Sequence, residues 1–255
     1  MTHTKTGLMI GTAIIIIIGT AVYYEQSKPV TDKTTKTPTQ SQSSHTTAKP
    51  AFNKTQYSTT DPTSLWVVVN KVRPLQPLTY VPNDLVTPKL PLRVPGNETM
   101  SLRLTTAQAL EQLYTAAKQV GLSLMLSSGY RSYAYQANLH SGYVKTIGQA
   151  EADQLSARPG YSEHQTGLAV DIEPLSRNCE LNVCFANTPE GKWLTANAYS
   201  YGFIIRYPAD KVAITGYQYE PWHIRFIGIP LASEMHKQGV ETLEEFFDLL
   251  GGNSY

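Results

Sequence analysis

The chain has 255 residues, 41% of them hydrophobic and 16% charged, with a formal net charge of +1. That length allows one large domain or two small ones, and so even a charge balance excludes nucleic acid as an electrostatic partner.

From Gly7 to Tyr24 no residue is charged, and Ile14 to Ile18 is an unbroken isoleucine run. As a helix this stretch spans about 27 Å at roughly 1.5 Å per residue, near the lower limit for crossing a bilayer. It predicts a single-pass transmembrane anchor over residues 1–24. The alternative is a cleaved signal peptide, with Gly19-Thr20-Ala21 as the small-residue cleavage site. Both readings put the remainder of the chain outside the cytoplasm. Residues 25–63 are rich in Thr, Ser, Gln, Lys and Pro and poor in large aliphatics. Such a stretch buries too little surface to offset its ordering entropy, so a disordered linker with a reach on the order of 35 Å is expected.

From residue 64 to 255 the composition is that of one folded domain with a single core. Leu65-Trp-Val-Val-Val-Asn70 reads as a β-prone run, followed by Pro-studded extended chain to Pro95. Thr105 or Thr106 can cap a helix on which Ala109, Leu110, Leu113, Ala116, Ala117 and Val120 recur at helical spacing, ending at Gly121. Leu122 to Leu126 alternates as a strand. A second helix begins near Ser132 and carries Tyr135, Leu139 and Tyr143 on one side. Thr188 opens a third helix through Trp193 and Ala198 to a stop at Gly202. Phe203–Tyr207 and Trp222–Ile227 read as strands, and helices around 230–238 and 241–250 close the chain. Helices and strands mix without βαβ alternation, which predicts an α+β fold: a central antiparallel sheet flanked by helices. The two cysteines, Cys179 and Cys184, lie in a polar loop, and outside the cytoplasm a local disulfide is the natural reading.

Three segments carry chemistry. In Ser-Glu-His-Gln-Thr-Gly-Leu-Ala-Val-Asp (162–171), Asp171 ends an apolar run, where an unpaired carboxylate is costly. A metal would relieve that cost, as would an arginine or a helix cap. Glu-Pro-Trp-His (220–223) supplies a second imidazole with a spare carboxylate. A spacing of three puts two side chains on opposite faces of an ideal strand. Pro221 argues against a regular strand there, so Glu220 is expected at a bend, with His223 on the strand that follows and Trp222 in the core. Two imidazoles and one carboxylate suit a hydrolytic zinc centre, which keeps three protein ligands and an open position for water. The spare Glu220 can take the proton of an attacking water. In Ser-Ser-Gly-Tyr-Arg-Ser (127–132), Arg131 follows a strand end, where it can stabilise an oxyanion, clamp a carboxylate or form a structural salt bridge.

Together, Ser-Gly-Tyr-Arg-Ser, Ser-x-His-x-x-Gly-x-Ala-x-Asp and Glu-x-Trp-His, in this order, resemble the D-alanyl-D-alanine carboxypeptidases of the VanY type. These are zinc peptidases grouped with VanX-like dipeptidases and L,D-carboxypeptidases. The resemblance runs from about Leu65 to Ile229 and includes Val-Asn-Lys…Pro-Leu…Tyr-Val-Pro-Asn-Asp-Leu (69–85). It implies one zinc ion per chain held by His164, Asp171 and His223, Glu220 as catalytic base, and Arg131 at the scissile carbonyl. It also implies that Gln136 and Ser162 hold the substrate's terminal carboxylate. The expected reaction is removal of the C-terminal D-Ala from peptidoglycan stem pentapeptides by a domain facing the cell wall. The alternatives are trimming of tetrapeptides to tripeptides and, in a different class, a non-catalytic zinc-stabilised binding module or adhesin.

Overall fold

The structure, a computed structural model, describes residues 51–255. In chain order its elements are β1 (Leu85–Val86), β2 (Leu102–Arg103), α1 (Leu104–Gln119), β3 (Leu124–Ser128), α2 (Tyr133–Ile147) and α3 (Gln149–Leu155). Then come β4 (Ala169–Pro174), α4 (Pro189–Asn197), β5 (Phe203–Ile205), α5 (Val212–Thr215), β6 (His223–Phe226), α6 (Ile229–Gln238) and α7 (Leu243–Phe247). The anchor expected over 1–24 and the linker as far as residue 50 lie outside the described residues. Among the described residues no helix is long and apolar enough to cross a membrane.

The expected α+β architecture with a central antiparallel sheet is present. Four strands pair antiparallel in the order β3-β4-β6-β5, and β1 pairs with β2 in a separate two-stranded ribbon. Because side chains alternate along a strand, each strand divides its residues between two faces. On one face Leu124, Leu126, Val170, Ile172, Ile224 and Phe226 join Leu110, Leu113 and Ala117 of α1 and Leu194 of α4 in the main core. The other face carries Ser127, Asp171, Glu173, His223 and Arg225, all buried. One face of the sheet is thus a core and the opposite face is polar, which is where the chemistry gathers.

Most expected elements are in place, with shifts at their ends. α1 starts at Leu104 without a side-chain cap, whereas Ser132 caps α2 by accepting from the Tyr135 amide. Thr188 caps α4 in the same way through Gly191, and a single 3-10 turn carries the chain on to a left-handed Gly202. β3 lies two residues later than the apolar pattern suggested, and the last helix covers only Leu243–Phe247. Cys179 and Cys184 form the expected disulfide.

The run Leu65–Asn70 is not a strand. It leaves a turn at Leu65–Trp66 and is buried from Trp66 on, with Val67 and Val69 in the main core and Trp66 and Val68 in a second cluster with Leu231, Met235 and Phe246. The alternation expected of a strand therefore serves two cores, but no neighbouring strand lies alongside to form a ladder. Instead the Arg225 guanidinium donates to the Leu65 and Val67 carbonyls, satisfying groups a strand partner would take. Residues 51–63, read from composition as the end of the linker, lie against the domain. Phe52 stacks on Trp66, and Lys54 donates to the Phe246 carbonyl.

Candidate active site

β4 and β6 run antiparallel with Asp171 directly opposite His223, flanked by the pairs Val170–Ile224 and Ala169–Arg225. Directly opposed residues share a face, so the register alone brings this carboxylate and this imidazole together. His223 Nδ1 lies 3.1 Å from Asp171 Oδ1. His164 arrives from a 3-10 turn, Glu163–Thr166, that precedes β4. Gly167 ends that turn at φ +67°, and its backbone reverses the chain so that His164 faces the strand it leads into. His164 Nε2 then stands 3.3 Å from Asp171 Oδ2. The other ring nitrogen, Nδ1, donates to the Gly129 carbonyl at 2.6 Å, which fixes the tautomer and leaves Nε2 as the nitrogen facing the strand.

Donor atoms of His164, Asp171 and His223 all lie within 4.8 Å of one another, and all three residues are buried. His164 Nε2 is buried without a hydrogen-bond partner, although such atoms are rarely left unpaired. An orphaned imidazole nitrogen aimed at a second imidazole and a carboxylate is the donor set of a divalent metal site. The residues fit such an ion.

The turn Glu220-Pro221-Trp222-His223 explains the second motif. The His223 amide donates to the Glu220 carbonyl at 3.1 Å, closing a four-residue turn. This returns two residues three apart to one side, and Glu220 Oε2 comes 3.7 Å from His223 Nδ1. Trp222 is only partly buried; it packs on the core and also edges the cleft.

Electrostatics separate the two carboxylates. Burial would raise Asp171, but His164 and His223 hold it well below the usual carboxylate range, so it is an anion. Burial raises Glu220 to about 7, opposed by His223 and assisted by Asp171, while 22% of its side chain stays open to the cleft. His164 falls to about 4 through burial and the nearby Arg131, and so is neutral. For His223 burial works downward, but the polar contacts with Asp171 and Glu163 and the charges of Asp171 and Glu220 prevail and raise it to about 9.

Arg131 sits at the rim of this group. It donates to Asp171 Oδ2 at 3.0 Å, to Ser128 Oγ at 3.1 Å and to Gln136 Oε1 at 3.3 Å. Gln136 is not on the cleft surface as the resemblance implied. It is fully buried, and its amide nitrogen is committed to Ser156 Oγ and the Ala157 carbonyl. It supports Arg131 from behind. Ser162, by contrast, lines the cleft, a cavity of about 660 Å³ with Arg131, His164, Asp171, Glu220 and His223 on its floor. Tyr135, Leu139 and Tyr143 of α2 also line it, as do Leu181 and Val183 of the disulfide loop. The side of α2 on which the three α2 residues were expected to lie together is thus a lining of the cleft.

Two participants were missed in the sequence. Gly129 was read only as part of a strand end, yet its carbonyl orients His164, and a Cβ there would meet the Ser101 carbonyl oxygen at 2.5 Å. Glu163 was an unremarked neighbour of His164. Its only signal is that no other Asp, Glu, Lys or Arg lies between Arg158 and Asp171.

The cleft thus gathers two imidazoles and a carboxylate that could hold a metal ion, with a second carboxylate beside them. The family model described as VanY, D-alanyl-D-alanine carboxypeptidase, matches residues 99–229, and the chain belongs to that family. YodJ of Bacillus subtilis (strain 168) is 43% identical over 189 residues, covering 74% of this chain and 68% of that protein. Among solved structures, the LD-carboxypeptidase LdcB superposes with a TM-score of 0.70 at 43% identity, over 74% of this chain and 88% of that one. A mutant of the vancomycin-resistance D,D-pentapeptidase VanY, in complex with Zn(II), gives a TM-score of 0.56 at 33% identity, over 71% of this chain and 97% of that one.

Proposed function

We propose that the protein is a zinc-dependent carboxypeptidase that removes a C-terminal D-Ala from peptidoglycan stem peptides. The observation that carries this reading is the trio His164, Asp171 and His223, with donor atoms within 4.8 Å, beside the ionisable Glu220 on the cleft floor. The relatives' own descriptions, LD-carboxypeptidase and a D,D-pentapeptidase in complex with Zn(II), supply the substrate class and the metal. A purely structural zinc module has no use for Glu220. In structural sites the protein supplies four ligands, whereas here three candidate ligands stand together at the cleft and would leave the fourth place to water or substrate.

In this reading His164 Nε2, Asp171 and His223 Nδ1 hold the ion. Bound there, zinc supplies Lewis acidity that polarises the scissile carbonyl and lowers the pKa of water towards ~7. Glu220, raised to about 7 and open on one side, accepts the proton of the attacking water and returns it to the departing D-Ala amine. Arg131, held in place by Ser128 and Gln136, presents its guanidinium to the negative charge that develops on the carbonyl oxygen. Ser162 lines the cleft where the substrate's terminal carboxylate would lie.

Two substrates end in D-Ala: the pentapeptide, with D-Ala before the cut, and the tetrapeptide, with an L-centre there. The sequence motifs alone point to the pentapeptide. The greater likeness to LdcB, in both identity and superposition, favours the tetrapeptide, which we take as the preferred substrate. Mass spectrometry of defined muropeptides after incubation with the zinc-loaded protein tests this. The tetrapeptide should lose one alanine faster than the pentapeptide, and a chelator should stop both. A faster pentapeptide reaction restores the D,D reading, and no shortening of either peptide refutes the function.

A further inference from the structure

His223 shows the cleft only one of its nitrogens, Nδ1, which lies near Asp171 and Glu220. The other, Nε2, is buried and lies 3.7 Å from Glu163 Oε2. Both of these atoms are buried, and neither has a hydrogen-bond partner, so two orphaned polar atoms face each other. The Glu163 side chain is fully buried, and its remaining oxygen is already committed. Oε1 accepts from Arg206 Nε at 2.8 Å and from Arg225 Nη1 at 2.6 Å.

The arginines are themselves fixed. Arg206 donates both terminal nitrogens to Glu244, at 2.9 and 2.7 Å, and Arg225 donates to the carbonyls of Leu65, Val67 and Phe226. Turning the Glu163 carboxylate away would leave a guanidinium uncompensated in the core, which is strongly destabilising. The direction of Oε2 is therefore set by a buried network that spans the 65–70 segment, β6 and α7.

We propose that Glu163 is a positioning residue that keeps the ring proton of His223 on Nε2 and so leaves Nδ1 free to bind the metal. A neutral imidazole carries one proton, and the partner of one nitrogen decides which nitrogen is left as donor to a metal. Without metal the imidazolium faces Asp171 through Nδ1 and Glu163 through Nε2. An ionised carboxylate can only accept, so once a metal replaces the Nδ1 proton the one that remains is held on the nitrogen facing Glu163. The Gly129 carbonyl does the same for His164 in the opposite sense, holding the proton on Nδ1 and freeing Nε2. The two histidines thus offer different nitrogens because different groups stand behind them. This inference rests on the metal centre proposed above.

Glu163→Gln separates positioning from bulk. The amide keeps the shape of the side chain and an oxygen for the two arginines, but it turns an N–H donor towards His223 Nε2. That nitrogen then becomes an acceptor, and the proton moves to Nδ1, where it blocks the metal. The reverse orientation sets the amide N–H groups against two guanidinium groups. Zinc affinity of the full chain is measured by chelator competition for wild type and variant, with the histidine tautomers read from 1H–15N correlation spectra. We expect wild type to bind zinc with His223 protonated at Nε2, and Glu163→Gln to bind about 10–100-fold more weakly while unfolding cooperatively when metal-free. Wild type binding zinc with the variant within about threefold of it overturns the positioning role but spares the metal centre. Wild type failing to bind zinc overturns both. If the variant does not fold, the zinc-loaded wild type decides: a proton on His223 Nδ1 refutes the proposal, and one on Nε2 supports it.

Discussion

Asp171 and Glu220 both stand beside His223, yet their surroundings drive them apart. Asp171 faces both imidazoles and Arg131, so its negative charge is compensated on every side. Glu220 is desolvated by the cleft floor, with one imidazole near it and Asp171 adding repulsion, and so its affinity for a proton rises. Carboxylates pushed apart in this way divide into a fixed anion and a group that exchanges protons near neutrality. The proposed roles follow, and so does a pair of substitutions. Glu220→Gln is expected to retain zinc and to lose about 10²–10⁴-fold in turnover, the usual contribution of a positioned base. His164→Ala is expected to lose the metal itself, because it removes one of three ligands. Metal analysis alongside muropeptide hydrolysis distinguishes the two. Glu220→Gln turning over near the wild-type rate would remove Glu220 from the reaction.

At the scale of elements, the site depends on a strand pair and on two reversals that feed it. Gly167 makes one of them. Its left-handed φ of +67° costs a non-glycine residue roughly 1–2 kcal/mol. A Cβ at this position would also sit 2.9 Å from Arg103 Cγ and 3.2 Å from the Arg103 amide, whose hydrogen bond to the Gly167 carbonyl ties the ribbon to this turn. Gly167→Ala should therefore lose more than about 1 kcal/mol of stability, seen as a lower denaturant midpoint, and should bind zinc more weakly because His164 moves with the turn. An unchanged midpoint would mean that the turn tolerates a side chain. The same elements show what the sequence discloses. Trp222–Ile227 reads as a strand and contains β6, whereas of β4 the sequence singles out only Asp171, as the polar end of an apolar run. Pro221 was enough to argue that Glu220 lies at a bend. The Leu65–Asn70 run also reads as β-prone but lies where no strand is free to pair, a fact about its neighbours that no local pattern encodes. The surroundings of Gln136 and Glu163 are hidden from the sequence for the same reason. Their roles come from groups far away in sequence, the Ala157 carbonyl for one and Arg206 and Arg225 for the other.

Across the whole molecule, binding, protonation and stability are linked through His223. In the metal-free protein burial disfavours its charged form, but Asp171 from β4, Glu163 from the 3-10 turn and Glu220 from the Pro221 turn surround it and raise it to about 9. Tyr207 packs on the ring, with centroids 4.7 Å apart, and brings no charge of its own in the neutral range. A histidine raised in this way stabilises the fold fully below its unfolded value of about 6.5, and that contribution is lost as pH climbs through about 9. Zinc needs the lone pair that the proton occupies, so proton and metal compete and zinc affinity rises with pH over the same window. Glu220, titrating near 7, adds in the same direction, because a cation beside it favours its ionised form. Asp171 stays ionised throughout and contributes no slope. At fixed free zinc, ligand stabilisation grows as RT ln(1 + [L]/Kd), so one released proton widens the gap between zinc-loaded and metal-free protein by about 1.4 kcal/mol per pH unit. Calorimetric melting at about pH 6.5 and about pH 8.5 in zinc buffers should show the two Tm values diverging by roughly 3–5 °C per unit for a domain of this size. The metal-free Tm should fall as the loaded one holds, since only the metal-free fold holds a His223 proton that the unfolded chain gives up above about pH 6.5. A gap that stays constant or narrows would show that this imidazole does not exchange a proton for the metal.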